Sequence, residues 1–273
     1  MSITELSPVQ KRLLNMMDWF HSYCNDHNLK YYMIGGTMLG AVRHQGFIPW
    51  DDDIDVGMPR PDYERFLELM HGKQEGLYRL ESYHDGANDF SVPFAKLYDT
   101  STTLIEERRP PLKRGLFLDV FPLDGVSKEK RWEKGFKIFR INKNMLSVIT
   151  ARVHKEYDFV LNALILTSSV IPYRARIVKR LQKTIDQFCA SEPFSVSGTV
   201  ANLIGSRKEK ELLPGCFFGR PTLYQFEGRK YYGVEQADEY LSSLIGDYMT
   251  LPPENERKGH LTEYCDLNKG YIS

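Results

Sequence analysis

Cysteine is scarce in this chain. Cys24, Cys189, Cys216 and Cys265 are the only four in 273 residues, and no two stand at a Cys-x-x-Cys spacing. A zinc ribbon is excluded and no disulfide framework is implied, so four reduced, mostly buried thiols are expected. Long apolar runs are also missing. The longest apolar-rich stretch, residues 159–171, already contains Asn162, Thr167, Ser168 and Ser169, and it falls short of the roughly 20 apolar residues of a membrane-crossing helix. Residues 1–10 show no basic stretch followed by an apolar one, so a secretory signal is not expected. Neither sign of charge dominates. Lys plus Arg number 36 and Asp plus Glu 36, which argues against a nucleic-acid partner. These absences together point to the cytosol.

What remains is an ordinary globular composition, 42% hydrophobic and 26% charged, enough for one large domain or two modest ones. Ser7-Pro8 is a helix start, and Leu13, Met17, Phe20 and Cys24 recur at helical spacing behind it, to about Asn28. Residues 30–34 form a short β-rich run that ends in Gly35-Gly36, and a short helix is expected over 37–44. A second strand is centred on 54–56, and Pro61 opens another helix. Residues 78–83, 94–98 and 116–121 read as strands, with a stiff basic loop around Pro110-Pro111. From 127 to about 189 the pattern is helical. Residues 222–226 and 230–232 read as a hairpin, and 234–245 as a helix. The expected fold is therefore α/β (α+β), a mixed sheet core with flanking helices and a helical insertion. The segments are 1–125, 126–190 and 191–273.

The chemistry is concentrated in residues 34–58, IGGTMLGAVRHQGFIPWDDDIDVGM. A strand that ends in two glycines at a helix start lets backbone N–H groups approach a phosphate at the positive end of the helix dipole. Asp53 and Asp55 alternate on the expected strand and so share a face. Two adjacent carboxylates repel, and a divalent cation between them relieves the repulsion. Mg²⁺ held by such a pair together with phosphate oxygens is the expected arrangement. A third acid, Asp119, interrupts the apolar strand LFLDVF and could ligate metal or accept a proton from an attacking hydroxyl. The order of these three pieces resembles a nucleotidyltransferase pattern, built for in-line displacement at phosphorus.

The match extends further. GGTMLGAVRHQGFIPWDDDIDVGMPRPDYERF resembles the signature of the LicD family of phosphocholine transferases, related to the fukutin-related proteins. LFLDVFPLDG resembles the family's next block and GDYMTLPPENERKGH its C-terminal block. The resemblance implies transfer of phosphocholine from CDP-choline to a hydroxyl of a cell-surface glycan or its lipid-linked precursor, with release of CMP. It implies that Gly35, Gly36 and Thr37 hold the nucleotide phosphates and that Asp53 and Asp55 bind Mg²⁺ or Mn²⁺. Asp119 becomes the third carboxylate and candidate base. Another nucleotidyl or polyol-phosphate transfer on the same metal site stays open, as does a catalytically silent membrane-docking adaptor, although the three intact acids argue against the latter.

Supporting residues carry two readings each. Arg43 could offset charge on the transferred group or pair with a nearby Asp; His44 reads as structural and Trp50 as core packing. Lys96, in PFAKLY, could reach a phosphate or be an ordinary edge-strand lysine. His260, with Arg257 and Lys258, could contact phosphate or lie in a solvated tail. Tyr231, Tyr232 and Tyr248 are suspects for a choline cage. Residues 174–183, RARIVKRLQK, follow the apolar run with five basic residues. Together 159–183 could be a peripheral membrane contact at the inner face, or a solvated helix face behind a core-packed helix, the commoner arrangement.

Overall fold

The computed structural model describes residues 5–85, 89–106, 108–127, 134–155, 157–172, 174–196, 198–205, 207–257, 259 and 264–271. Helix α1 (Pro8–Asp26) starts on a capping box, in which the Ser7 hydroxyl accepts from the Gln10 N–H and the Gln10 side chain accepts from the Ser7 N–H. It leads through β1 (Tyr32–Met33) and α2 (Gly35–His44) to β2 (Asp55–Pro59) and α3 (Arg60–Met70). Strands β3 (Gln74–Glu75), β4 (Tyr78–Glu81), β5 (Ala95–Asp99), β6 (Thr103–Glu106), β7 (Leu112–Arg114) and β8 (Phe117–Gly125) follow. Three helices come next: α4 (Lys134–Thr150), α5 (Phe159–Ser168) and α6 (Arg174–Cys189). The chain continues through β9 (Thr199–Ala201), β10 (Leu212–Pro214), the hairpin β11 (Thr222–Phe226) and β12 (Arg229–Gly233), α7 (Ala237–Ile245) and β13 (Tyr264–Asp266).

Eight strands form one continuous path in the order β11-β12-β1-β2-β8-β5-β4-β3, and the β9–β10 pair joins at the end of β8. The sheet is mixed, as expected: β2 runs parallel to β8 and β1 parallel to β12, and the other pairs are antiparallel. Side chains alternate across this sheet. On β2 and β8 the apolar set Val56, Met58, Leu118 and Val120 is fully buried and belongs to the main core with Leu13, Met17 and Phe20 of α1 and Tyr63 and Phe66 of α3. Asp55, Asp119 and Phe121 occupy the alternate positions, which face the other way. Burying the apolar face fixes the register, and the register in turn places the acids on the opposite face.

Helices α4 and α6 cover part of that second face through a separate apolar cluster that includes Phe136, Phe139, Ile149, Ile185 and Leu203. Helix α5 departs from the core-packed reading. Only Ile165 and Ser168 of its ten residues are buried. A second, three-stranded sheet, β13-β6-β7, had no counterpart in the sequence analysis. No described helix is long and apolar enough to cross a membrane. All four cysteines are unbridged, with Cys24 and Cys189 buried but Cys216 and Cys265 exposed.

Candidate active site

The site is built where β1 ends. Ile34 is the extended N-cap of α2 and offers no side-chain hydrogen bond to the helix start. Gly35 follows with φ +54°, and a Cβ there would stand 3.5 Å from Asp55 Oδ2. A Cβ on Gly36 would stand 3.1 Å from Asp51 Oδ2. The open helix N-terminus is thus pressed against carboxylates, where its dipole favours negative charge. The Thr37 hydroxyl accepts from the Asp55 N–H at 2.8 Å, and the Gly35 N–H donates to Tyr240 Oη at 3.1 Å. Thr37 therefore fixes the acidic strand, and α7 fixes the glycine turn.

Asp53 lies outside the strand on which it was expected. The turn at 48–51, closed by the Asp51 N–H on Ile48 O, and the Gln10 Nε2 bond to Asp51 O hold the segment before β2 out of regular pairing. The ladder begins at Asp55, after Ile54 O has accepted from the Asp119 N–H. Asp53 and Asp55 nevertheless line the same cleft together with Asp119. Asp55 and Asp119 are direct partners across the β2–β8 pair. Burial, reinforced by the charges of Asp53, Asp119 and Asp51, pushes the Asp55 carboxyl well above the usual carboxylate range.

Of the two readings of Lys96, the structure rules out the edge-strand one. Strand β5 lies between β8 and β4, so Lys96 is no edge lysine; it is 1% exposed. As the direct partner of Asp119 it shares that residue's face of the sheet. Its Nζ lies 3.2 Å from Asp119 Oδ1, 3.1 Å from Glu106 Oε2 and 3.2 Å from the centre of the Phe117 ring. Arg108 reaches the same Glu106 oxygen at 3.3 Å. Burial alone would raise Glu106, but Lys96 and Arg108 outweigh it and hold this carboxyl below its ordinary value. For Asp119 burial wins over Lys96, and its carboxyl is raised. Asp119 Oδ1 and Glu106 Oε1 are buried without an aligned hydrogen-bond partner among the described residues.

Other expected residues lie elsewhere. Arg43 sits at the far end of α2, where its guanidinium donates to Tyr248 O at 2.7 Å and to His44 Nε2 at 2.9 Å; this ties α2 to the segment after α7. Tyr231 is a core residue bonded to Asp18, Tyr232 packs on Tyr31, and Tyr248 donates to Asp238, so these tyrosines form no cage. Trp50 lies under the Arg257 guanidinium. His260 lies outside the described residues.

Two adjoining hollows, about 530 and 620 Å³, meet at Asp53, Phe94, Asp119, Lys143 and Ile204. Acids form the floor of the first; Arg140, Lys143, Asn144 and Arg207 stand on its walls beside Phe94, Phe121, Phe136 and Phe139. The sequence analysis missed these wall residues. The signal was present, since Arg140, Lys143 and Asn144 fall at i, i+3 and i+4 of α4 and share one helix face. Lys143 also donates to Leu203 O and Gly205 O, at 3.1 and 2.6 Å, so it braces the loop after β9.

An acidic floor beneath cationic walls suits a divalent cation below and phosphate oxygens above. Among the described residues no three His, Cys, Asp or Glu side chains are gathered into a ready metal cage. The hard oxygens of Asp53 and Asp55, with Asp55 strained by its like-charged neighbours, fit the alternative in which Mg²⁺ takes two carboxylates and completes its shell with phosphate oxygens and water.

Taken together, the mixed sheet, the glycine turn against its carboxylates and the acid-floored cleft fit a nucleotidyltransferase-type domain. The family model described as LicD/FKTN/FKRP, nucleotidyltransferase domain, matches residues 28–147. Over 251 residues, 90% of this chain and 92% of the relative, the sequence is 30% identical to the lipopolysaccharide cholinephosphotransferase LicD of Haemophilus influenzae. The chain belongs to the LicD family. Shorter matches include 48% identity over 76 residues with an uncharacterized protein of Rickettsia prowazekii, 28% of each chain. Another is 40% identity over 48 residues with the human ribitol 5-phosphate transferase FKRP, 18% of this chain and 10% of that protein.

Proposed function

We propose that this protein transfers phosphocholine from CDP-choline to a hydroxyl of a cell-surface glycan or its lipid-linked precursor and releases CMP. The observation that carries the reading is the acidic floor of Asp53, Asp55 and Asp119 facing Arg140, Lys143 and Arg207 across one cleft. Similarity along nearly the whole of a cholinephosphotransferase supports the choice of head group.

In this reading Gly35 and Gly36 present the start of α2 to the donor phosphates, and the cationic walls hold the diphosphate in line. The acceptor oxygen forms a bond to the choline-bearing phosphorus as the bond from that phosphorus to the bridging oxygen breaks, and the electron pair leaves with CMP. The hydroxyl proton passes to Asp119, whose carboxyl is made more basic by burial than an ordinary aspartate. Lys96 holds that carboxylate in place and limits its basicity. Asp53 and Asp55 would hold Mg²⁺ or Mn²⁺, which when bound neutralises phosphate charge. The wall of Phe94, Phe121, Phe136 and Phe139 offers ring surface to the trimethylammonium group.

The local match to a ribitol 5-phosphate transferase favours polyol phosphate as the second reading. Calorimetric titration of CDP-choline, CDP-ribitol and CTP, with and without Mg²⁺, into wild type and Asp55→Ala separates the two. Metal-dependent binding of CDP-choline alone, lost in the variant, supports phosphocholine transfer. Preference for CDP-ribitol moves the function to the second reading. No nucleotide binding at all overturns both and leaves a non-catalytic adaptor.

A further inference from the structure

Helix α5 is apolar nearly all round, FVLNALILTS, yet most of it meets solvent. Phe159 is 86% and Val170, just past its end, 82% exposed; Val160, Leu164 and Leu166 are more than half exposed. A helix without a polar face normally lies in a core or in lipid. Beside it, Ile138, Ile141 and Met145 are exposed at helical spacing along α4. So many exposed apolar side chains on two packed helices are of a kind that soluble surfaces seldom leave open.

Charge is segregated to the same region. The chain as a whole is neutral, but residues 134–183 hold eleven Lys or Arg against only Glu156 and Asp158. Five of the eleven, Arg174, Arg176, Lys179, Arg180 and Lys183, fall on α6. Apolar side chains flanked by lysine and arginine fit a bilayer with anionic headgroups, the former entering the acyl boundary and the latter meeting phosphates.

The position of this face gives it a purpose. The second hollow of the cleft is walled by Ser147, Thr150 and Ala151 at the end of α4 and by Arg152, His154 and Tyr157 in the link to α5. Arg109 ties α5 to the basic loop by donating to Ile165 O at 2.8 Å and Ser168 Oγ at 2.7 Å. The apolar helix is thereby fastened to the rim of the cleft.

We propose that α5, with the exposed stripe of α4 and the basic α6, is an interfacial surface that seats the protein on an anionic phospholipid bilayer, with the second hollow opening toward lipid-borne acceptor. Only the purpose of the contact rests on the glycan-acceptor reading; the contact itself does not.

The test is flotation of the full chain with vesicles of phosphatidylcholine alone or mixed with phosphatidylglycerol, at low and high salt. Wild type is expected to float with the anionic vesicles at low salt. Val160→Glu/Leu164→Glu is expected to abolish flotation. Arg180→Gln/Lys183→Gln is expected to weaken it about fivefold per charge removed. Absence of flotation by wild type, or flotation of the glutamate variant equal to wild type, overturns the proposal. So does a lipid-free dimer in analytical ultracentrifugation that the glutamate variant dissociates, since the face would then belong to a second copy. CDP-choline binding by calorimetry is expected to be unchanged in both variants. It serves as a folding check and keeps failure of the lipid contact distinct from failure of the donor reading.

Discussion

Asp55 and Asp119 face each other as Cα partners across the parallel β2–β8 pair, and Lys96 is the partner of Asp119 on its other side. Two like charges and one opposite charge are thus ordered across three neighbouring strands. The sheet holds the acids together against their repulsion, and the buried lysine pairs directly with Asp119 and offsets Asp55 only at longer range.

The first prediction concerns Asp55. Its carboxylate is raised by burial and by acidic neighbours, so Asp55→Asn removes a source of strain. The variant is expected to melt at or above the wild-type temperature while transfer falls by about 10²–10³-fold, the scale of losing one transition-state electrostatic partner. Parallel thermal melts and transfer assays check this. Near-normal turnover would remove Asp55 from the site.

Lys96→Met leaves Asp119 and Glu106 buried without their shared counterion. A loss of roughly 3–5 kcal/mol is expected, as for other broken buried pairs. Adding Glu106→Gln to this variant is expected to restore part of the loss. A double-mutant cycle by urea denaturation measures the coupling, and strict additivity would disprove the shared ion pair.

Glu106 also sets a pH dependence. Its folded carboxyl titrates below the ordinary glutamate value because Lys96 and Arg108 outweigh burial. A depressed carboxyl contributes stability that is complete above its unfolded pKa, about 4.3, and is lost as pH falls through the folded value. The stability gap between wild type and Glu106→Gln should therefore be constant near neutrality and shrink below about pH 4.3. Denaturation curves across that window test the sign; a gap that widens on acidification would contradict it.

Gly36→Ala brings a methyl group to 3.1 Å from Asp51 Oδ2 at the lining of the acidic cleft. Folding should change little, because a helical position tolerates alanine, whereas turnover should fall by up to about 10²-fold through misplacement of the donor. A fall in kcat/KM with an unchanged melt would bear this out.

Arg60 provides the contrast. It grips Asp124 through two 2.7 Å bonds and Asp186 through a third, and it does not line the cleft that holds Asp119. Arg60→Met should cost roughly 3–5 kcal/mol of stability and leave donor affinity unchanged. Calorimetry with CDP-choline well below the melting transition checks the second half.

The sequence displayed the strand–glycine turn–helix and the alternating core of β2 and β8 because those signals are local. The spacing of small residues, apolar residues and acids is enough to expect them. The environment of Lys96 was not legible. Its partners Asp119, Phe117 and Glu106 come from two other strands, and nothing near residue 96 records that β5 is interior. The small sheet was hidden for the same reason, since it pairs residues 103–105 with 264–266. Asp53 was misplaced because strand alternation was extended back into the unpaired segment behind a turn that Gln10, far away in sequence, helps to hold. The cationic stripe of α4 was readable by spacing, but only the fold shows that this helix walls the cleft.

Strand β1 is two residues long, and its outer neighbour is β12, paired through Met33 and Gly233. During synthesis the glycine turn therefore waits for a strand made 200 residues later, and then for the Tyr240 hydroxyl that receives the Gly35 N–H. At ribosomal rates that interval is on the order of ten seconds or more. The glycine turn, encoded near the beginning of the chain, is among the last parts of the molecule to be finished, and a nascent chain gains nothing from any ligand held there until its C-terminal third has emerged.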